Sequence, residues 1–422
     1  MQIRLSTITR TSKQFSKVRV RMSRKKVLFI SGSLGLGHVG RDIEIAKALR
    51  KKEPDFDIWW LAEDPASMVL EQAGEKLIPE AKLVASSNAK LEDSVQGFNA
   101  NLIKATMNSR KDWSDKAKLV SKVVEKEGFD LVVGDETYEI VIEAVNNPDF
   151  KKFPLVMIYD FIGVDSVTRN PVDAIATYLV NRIWAKGMQA GTSIADKSLF
   201  IGEVEDIPDR KFGFMLPNRR ELAIKSLDFV GYILTFDPTE YKDKDKVRRL
   251  LGYNEDPLII CSIGGTSAGK NLLDLCVKAY PLMKNELPDL RMILVCGPHL
   301  SPDSIQTVEG IEAKGYVPEM FKHLAAADLG IVVGGGTITL ELTALQKPFL
   351  YFPLKQHFEQ EMAVTPRCER HRAGVKMDFE KTTPQSLAKE ALLNISRKVN
   401  YPSIPINGAE NAAHLISQTL RD

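Results

Sequence analysis

The chain has 422 residues, 44% of them hydrophobic and 27% charged, which fits a globular protein of two or three domains. It contains no run of about 18 apolar residues of the kind that spans a membrane. The formal charge of +2 hides an asymmetry: residues 1–26 hold nine Lys/Arg and no Asp/Glu, and the remainder carries 48 basic against 55 acidic residues, a net of −7. A mildly acidic body argues against a nucleic-acid groove, so no nucleic-acid partner is expected.

Residues 1–25 read as a basic, disordered extension, with Met22 a natural start just before the first strand. An organelle-targeting segment and a patch for anionic lipid are the other readings. Val27–Ile30 is a first strand. A Gly-rich turn follows, and Arg41–Lys52 is a helix with Ile43, Ala46 and Leu49 on one stripe. Asp57–Leu61, Asp130–Val133 and Leu155–Ile158 are further strands whose continuous apolar runs suit parallel strands buried on both faces. Asp228–Thr235 carries the chain onward through the charged stretch Glu240–Arg249. Leu258–Ser262 then opens a second strand, Gly loop and helix, with Arg291–Cys296, Leu329–Val333 and Pro348–Phe352 as its later strands. The expectation is two βαβ-type halves, 26–225 and 226–405, each a doubly wound, Rossmann-like α/β domain. A final helix within 406–422 is a candidate to pack back on the first half. Two such domains facing each other make a cleft with ligands at the carboxyl ends of the strands.

Cys261, Cys276, Cys296 and Cys368 form no C-x-x-C and read as small core residues in a reducing compartment, consistent with a cytoplasmic protein. The six histidines are scattered and form no H-E-x-x-H. The D-x-D triplets, Asp55/Asp57 and Asp243/Asp245, abut a strand start and lie in a charge run, so no metal site is expected.

Three Gly-rich loops carry the chemistry. The first, Ser31 to Gly40, holds G-x-G-x-x-G at Gly35, Gly37 and Gly40, with Asp64 at the end of the second strand. That pattern admits a nicotinamide-dependent oxidoreductase, or simply a tight turn. His38 tilts the reading away from a dinucleotide. In the turn at the mouth of a helix, the positive helix terminus favours a neutral imidazole fit to accept a proton. Asp135 ends a strand at the same sheet edge and can hold one imidazole nitrogen, or else cap the next helix; its neighbour Glu136 can fill either role. The second loop, Gly264, Gly265, Thr266 and Ser267 to Lys270–Asn271, nearly matches a P-loop. Asn271 stands where a hydroxyl is needed, so the loop is better read as offering backbone N–H groups to a phosphate. In the third, Gly334, Gly335, Gly336 and Thr337 lead into a helix carrying Glu341, either a ribose-binding carboxylate or a solvated helix residue. Pro353 to Gln360 offers a polar tip toward the same cleft.

Together these stretches resemble the GT-B glycosyltransferases, in particular the UDP-glycosyltransferase branch and the MurG-type lipid-linked GlcNAc transferases, over about residues 26–400. The most specific part is 310–365, where Gly315–Pro318 and Ala325–Asp328 precede the Gly-rich loop with Glu341, and Pro353 and Glu359–Gln360 follow. The resemblance implies that Val317 meets uracil through its backbone, Glu341 holds the ribose, the Gly335–Thr337 loop cradles the diphosphate and Glu359–Gln360 grip the donor sugar. It implies too that His38 is the base with Asp135 as its partner. The chain departs from the family at Val333, Ile338 and Met362–Ala363, where His, Ser/Thr and Asn are common. The implied activity is inverting, metal-independent transfer from a UDP-sugar (UDP-GlcNAc or another hexose) to a small-molecule or lipid-linked hydroxyl acceptor. The implied partners include a peripheral contact at the inner face of a membrane, and no cofactor is called for. A nucleotide-sugar epimerase or hydrolase shares the same architecture. Residues 80–115 and 170–195 are expected to form the acceptor pocket. Within them Ala174–Met188, with Ile175, Tyr178, Leu179, Ile183 and Trp184, reads as core packing ahead of an apolar face for a lipid-linked acceptor.

Overall fold

The structure is a computed structural model that describes residues 24–31, 36–80, 95–96, 99–100, 110–147, 149–166, 170–189, 194–264, 269–355, 357 and 359–421. Its two large sheets each have six strands. The first comprises β1 (Lys26–Ile30), β2 (Asp57–Leu61), β3 (Leu131–Asp135), β4 (Leu155–Tyr159), β5 (Lys197–Ile201) and β6 (Asp228–Gly231), in the spatial order β2-β1-β3-β4-β5-β6. The second comprises β7 (Leu258–Ser262), β8 (Arg291–Val295), β9 (Ile311–Lys314), β10 (Leu329–Val333), β11 (Phe349–Phe352) and β12 (Val375–Lys376), in the order β9-β8-β7-β10-β11-β12. All neighbouring pairs in both sheets are parallel.

The sequence dictates this burial directly. Successive strand side chains point to opposite faces, and both faces must be covered when helices cross over between parallel strands. In β1, Val27 and Phe29 join one core cluster and Leu28 and Ile30 the other. In β7, Ile259 and Cys261 serve one face and Leu258 and Ile260 the other. All four cysteines are buried and unpaired.

The expected boundary at 225/226 falls at the last residue of helix α6 (Arg219–Ser226), and β6, just beyond it, pairs with β5 in the first sheet. The chain then crosses to the second half. It returns in α13 (Gly408–Thr419), whose Ala412, Ala413 and Ile416 pack in one cluster with Ile45 and Leu49 of α1 (Leu36–Lys52). Small residues let the two helices approach closely. Asn411 donates to the Val230 carbonyl at 2.9 Å, and the Gly408 N–H donates to the Tyr232 carbonyl at 3.0 Å. A Cβ on Gly408 would lie 2.6 Å from that carbonyl oxygen, so only glycine fits.

The halves are also clamped by a charged cluster. Arg370, in α11 (Thr365–Arg370) of the second half, bonds Glu203 at 3.0 Å, Asp206 at 2.8 Å and the Tyr232 hydroxyl at 3.0 Å. His371 Nε2 lies 3.1 Å from Glu203.

Candidate active site

In each doubly wound sheet the strand order reverses once, and the loops diverging from that point leave a crevice at the carboxyl ends. In the first sheet the reversal falls between β1 and β3. In the second it falls between β7 and β10. His38 follows β1, Asp135 ends β3, Gly264 follows β7 and the Gly334–Thr337 loop follows β10. The sequence motifs therefore occupy the two crevices. Gly35, Gly265, Thr266 and Ser267 lie outside the described residues, as do 81–94 and 101–109 of the expected acceptor region.

His38 does not sit in a turn before the helix. Helix α1 begins at Leu36, so Gly37, His38 and Gly40 are helical residues. The physical reason is close approach: a Cβ on Gly37 would lie 2.3 Å from the Thr337 hydroxyl, and one on Gly40 would lie 3.2 Å from the Thr235 methyl. Glycine here admits the second half of the molecule against the first turn of α1. Thr337 is itself in the first turn of α10 (Gly336–Ala344), so the imidazole-bearing turn and this Gly-rich helix start face each other.

His38 Nδ1 lies 2.9 Å from Asp135 Oδ2. The other reading of Asp135, as a helix cap, does not hold, since Thr137 is the N-cap residue of α4 (Tyr138–Asn146). Arg41, one turn along α1, completes the group. Its Nη2 donates to Asp135 Oδ1 at 2.6 Å, its Nε to Oδ2 at 3.1 Å, and its Nη1 to Asp160 at 2.7 Å. Arg41 Nη2 also lies 2.8 Å from His38 Nδ1. Burial pushes the Asp135 carboxyl up, but Arg41 and His38 outweigh it and hold Asp135 below the ordinary carboxylate range. In the tautomer that carries Nδ1–H, an ionised Asp135 accepts a hydrogen bond from it, which leaves the Nε2 lone pair available as a base. Arg41 and Asp160 carry no motif of their own; the only signal for Arg41 was its position one helical turn beyond His38.

Glu136 takes neither role foreseen for it. Its carboxyl lies 3.9 Å from His38 Nε2. Burial, then the Asp160 charge and a hydrogen bond to it, push its pKa well above the usual range. Asp160 moves the opposite way: burial raises it, but Arg41 and the bond from Glu136 bring it well below. Of the two, Glu136 is the carboxyl whose protonated form is favoured. Tyr138 donates to Glu136 at 3.1 Å, and Glu136 has φ of 52°, a sparsely populated conformation that marks functional strand ends.

Across the cleft, Gly335 is the N-cap residue of α10 and Gly336 its first residue. Arg367, unremarked in the sequence, donates to the Gly336 carbonyl at 2.6 Å and so fixes the loop. Glu341 is no solvated helix residue: it is 8% exposed. Burial alone raises its carboxyl to about 8. Val317 is buried after β9. Gln360 accepts from the Leu354 N–H at 2.8 Å, bracing the turn after β11. Glu359 stands over Gly336, its Oε1 3.3 Å from where a Cβ would be. Lys270 of the P-loop-like stretch bonds Asp274 at 3.0 Å.

Residues 259–418 match the glycosyltransferase family 28 C-terminal domain. Along the chain the likeness extends further. A UDP-N-acetylglucosamine–N-acetylmuramyl-(pentapeptide) pyrophosphoryl-undecaprenol N-acetylglucosamine transferase of Acetivibrio thermocellus is 23% identical over 410 residues, covering 94% of this chain and 97% of its own. The second half therefore carries a glycosyltransferase family 28 C-terminal domain, and the chain as a whole resembles the MurG-like glycosyltransferases. An uncharacterized glycosyltransferase of Methanopyrus kandleri is 27% identical over 196 residues, and that match spans only 54% of the relative. The solved glycotransferase of kitacinnamycin superposes with a TM-score of 0.60 at 16% identity, covering 94% of this chain and all of that one. The UDP-GlcNAc 2-epimerase of Methanocaldococcus jannaschii gives 0.53 at 12% identity, over 94% of this chain and 99% of that one. GT-B architecture is thus shared beyond the transferases, and the two six-stranded sheets described above are its two Rossmann-like domains.

Proposed function

We propose that this glycosyltransferase moves a sugar, of the UDP-GlcNAc class, from a UDP-sugar to a hydroxyl acceptor with inversion, and that His38 is the general base. The observation that carries this reading is the contact of Gly37 with Thr337. It sets an imidazole paired to an ionised carboxylate against a Gly-rich helix start suited to phosphate. The A. thermocellus relative is by name a UDP-N-acetylglucosamine transferase acting on a pyrophosphoryl-undecaprenol substrate, which supports both the donor and a lipid-linked acceptor.

In this scheme His38 Nε2 takes the acceptor proton as the acceptor oxygen attacks the anomeric carbon. The bond from that carbon to the β-phosphate oxygen breaks, and UDP leaves as the anion. Asp135 offsets the charge appearing on the imidazole; with the proton transfer this is worth roughly 10²–10⁴ in rate. Gly335, Gly336 and Thr337, with the Gly264–Ser267 loop, hold the diphosphate by backbone N–H groups preset for its charge. Glu341 accepts from the ribose hydroxyls, Val317 meets uracil through its backbone, and Glu359 with Gln360 lines the sugar. No step uses a metal ion.

A thermal-shift screen across UDP-, GDP- and dTDP-sugars tests the donor, since a bound ligand raises apparent stability by mass action. His38→Ala should abolish turnover with donor Kd unchanged. Full activity in that variant removes the base assignment, and sugar release or epimerised product without acceptor removes the transferase reading.

A further inference from the structure

A recess of about 680 Å³ lies on the second half, away from the cleft. Pro257, Asp328 and Pro348 line it and immediately precede β7, β10 and β11, so it sits at the amino ends of those strands. The Gly-rich loops leave the carboxyl ends. A five-residue strand such as β10 sets the two roughly 15 Å apart, so both can be filled at once. The volume is that of a pocket for a small organic molecule.

Cations gather in the recess. Lys244, Lys347, Arg397 and Lys398 line it, against the acids Glu255 and Asp328. Asp328 is already engaged: it accepts from Lys244 and from Arg248, each at 2.6 Å, and from the Leu258 N–H at 2.8 Å. Among the described residues Lys347, Arg397 and Lys398 pair with no carboxylate. Lys347 is partly buried, and its Nζ donates to the Ala327 carbonyl at 3.2 Å. Burial, then Lys244 and Arg248, outweigh Asp328 and Asp245 and bring its ammonium down to about 8. Arg397 reaches Asn394 Oδ1 at 3.4 Å.

Helix ends account for part of this. Helices α8 (Lys270–Glu286), α9 (Met320–Ala326) and α12 (Pro384–Asn394) finish at Leu287, Ala327 and Ile395 on its walls, and helix carboxyl ends attract cations. They explain the bond from Lys347 to Ala327. They do not explain why the walls stand apart, since close packing would lay apolar side chains over the ammonium. The walls are instead braced. Gln346, on the rim beyond α10, accepts from the Tyr401 N–H at 2.7 Å and donates to the Tyr401 carbonyl at 3.2 Å. Its φ of 55° is a sparsely populated conformation of the kind that gathers at ligand sites.

We propose that this recess is a second anion site, for a small organic phosphate whose charge meets Lys347, Arg397 and Lys398 and whose apolar part lies on Leu287, Ile395 and Val399. On a body whose net charge beyond residue 26 is −7, three cations without an acidic partner in one recess are a local feature with a specific complement. The site does not depend on the transferase reading.

Phenyl phosphate and inorganic phosphate are titrated calorimetrically into the full chain in excess UDP, which keeps them out of the cleft. The expected result is one site that takes phenyl phosphate several-fold more tightly than inorganic phosphate. Its affinity should fall roughly tenfold or more in Lys347→Met and in Arg397→Ser/Lys398→Ser. The first variant removes a cation that has no acidic partner and the second changes exposed side chains, so thermal unfolding should be unchanged or higher. Acetylation of Lys347 by acetic anhydride, read by mass spectrometry, should slow when phenyl phosphate is present. The absence of any binding in excess UDP overturns the proposal. So does binding that survives both variants or leaves Lys347 unprotected, which would trace it to the cleft or to the basic residues 1–26. Equal affinity for the two anions would remove the organic ligand and overturn it as well.

Discussion

Glu341→Gln changes one carboxylate to an amide of the same shape at a position that is 8% exposed. Among the described residues the Glu341 carboxyl has no hydrogen-bond or ion-pair partner, and burial alone raises it from 4.5 to about 8. In the unfolded chain it ionises at its ordinary value. Between the two values the native state holds a proton that the unfolded state has released, so stability falls as pH rises through that window. At about 1.4 kcal/mol per pH unit, the wild type without ligand gives up about 3 kcal/mol between roughly pH 4.5 and pH 7 through this group. Glu341→Gln has no such loss and should be the more stable protein at neutral pH in urea unfolding. Ligand binding runs the other way. If ribose hydroxyls donate to an ionised Glu341, only about one molecule in ten is competent at pH 7 and about one in a hundred at pH 6. Affinity for uridine, which has no phosphate to titrate, should then rise about fiftyfold from pH 6 to pH 8 in calorimetric titrations, with proton release. In Glu341→Gln it should be flat with pH, and weaker at pH 8 by about 1.5–3 kcal/mol. Identical pH profiles for the two proteins would refute the ribose role and the account of the buried acid together.

Arg41→Met should leave Asp135 and Asp160 as buried charges without their cation, at a cost of about 3–5 kcal/mol near neutrality. The wild-type carboxylates are held low, so their stabilisation is present above their unfolded pKa values and lost as pH falls. In the variant this dependence inverts and acid should recover stability, which urea unfolding at several pH values reads directly. Gly37→Ala places a methyl on the Thr337 hydroxyl. It should lower kcat/KM about tenfold or more by holding the halves apart, and Gly37→Ala/Thr337→Ala should recover part of the loss. An unimpaired Gly37→Ala enzyme would show that the contact is not needed for turnover.

The strands were legible because parallel strands covered on both faces leave uninterrupted apolar runs. Asp57–Leu61, Leu258–Ser262 and Leu329–Val333 were read to the residue, and β1 within one. Lys197–Ile201 was not read as a strand; its first two residues are polar and its run is short. Glycine spacing located the loops but misplaced the start of α1. Gly37 and Gly40 mimic a dinucleotide turn in one dimension, and their purpose is set by residues some 200 to 300 positions away.

By itself, then, the sequence determined two doubly wound halves, three Gly-rich loops at strand ends, and the candidate pair His38 and Asp135. Periodicity and spacing encode local structure and the ends of elements, and those are one-dimensional properties. Only the tertiary structure decided that Arg41 and Asp160 join that pair, that the protonated form of Glu136 is favoured, that Glu341 is buried, and that Ile175, Leu179 and Ile183 of the helix Pro171–Gln189, expected to pack in the core, are exposed. Each of these depends on what lies opposite a side chain: desolvation, an ion-pair partner, or a neighbouring backbone such as those that engage Asn181 on the inner face of that helix.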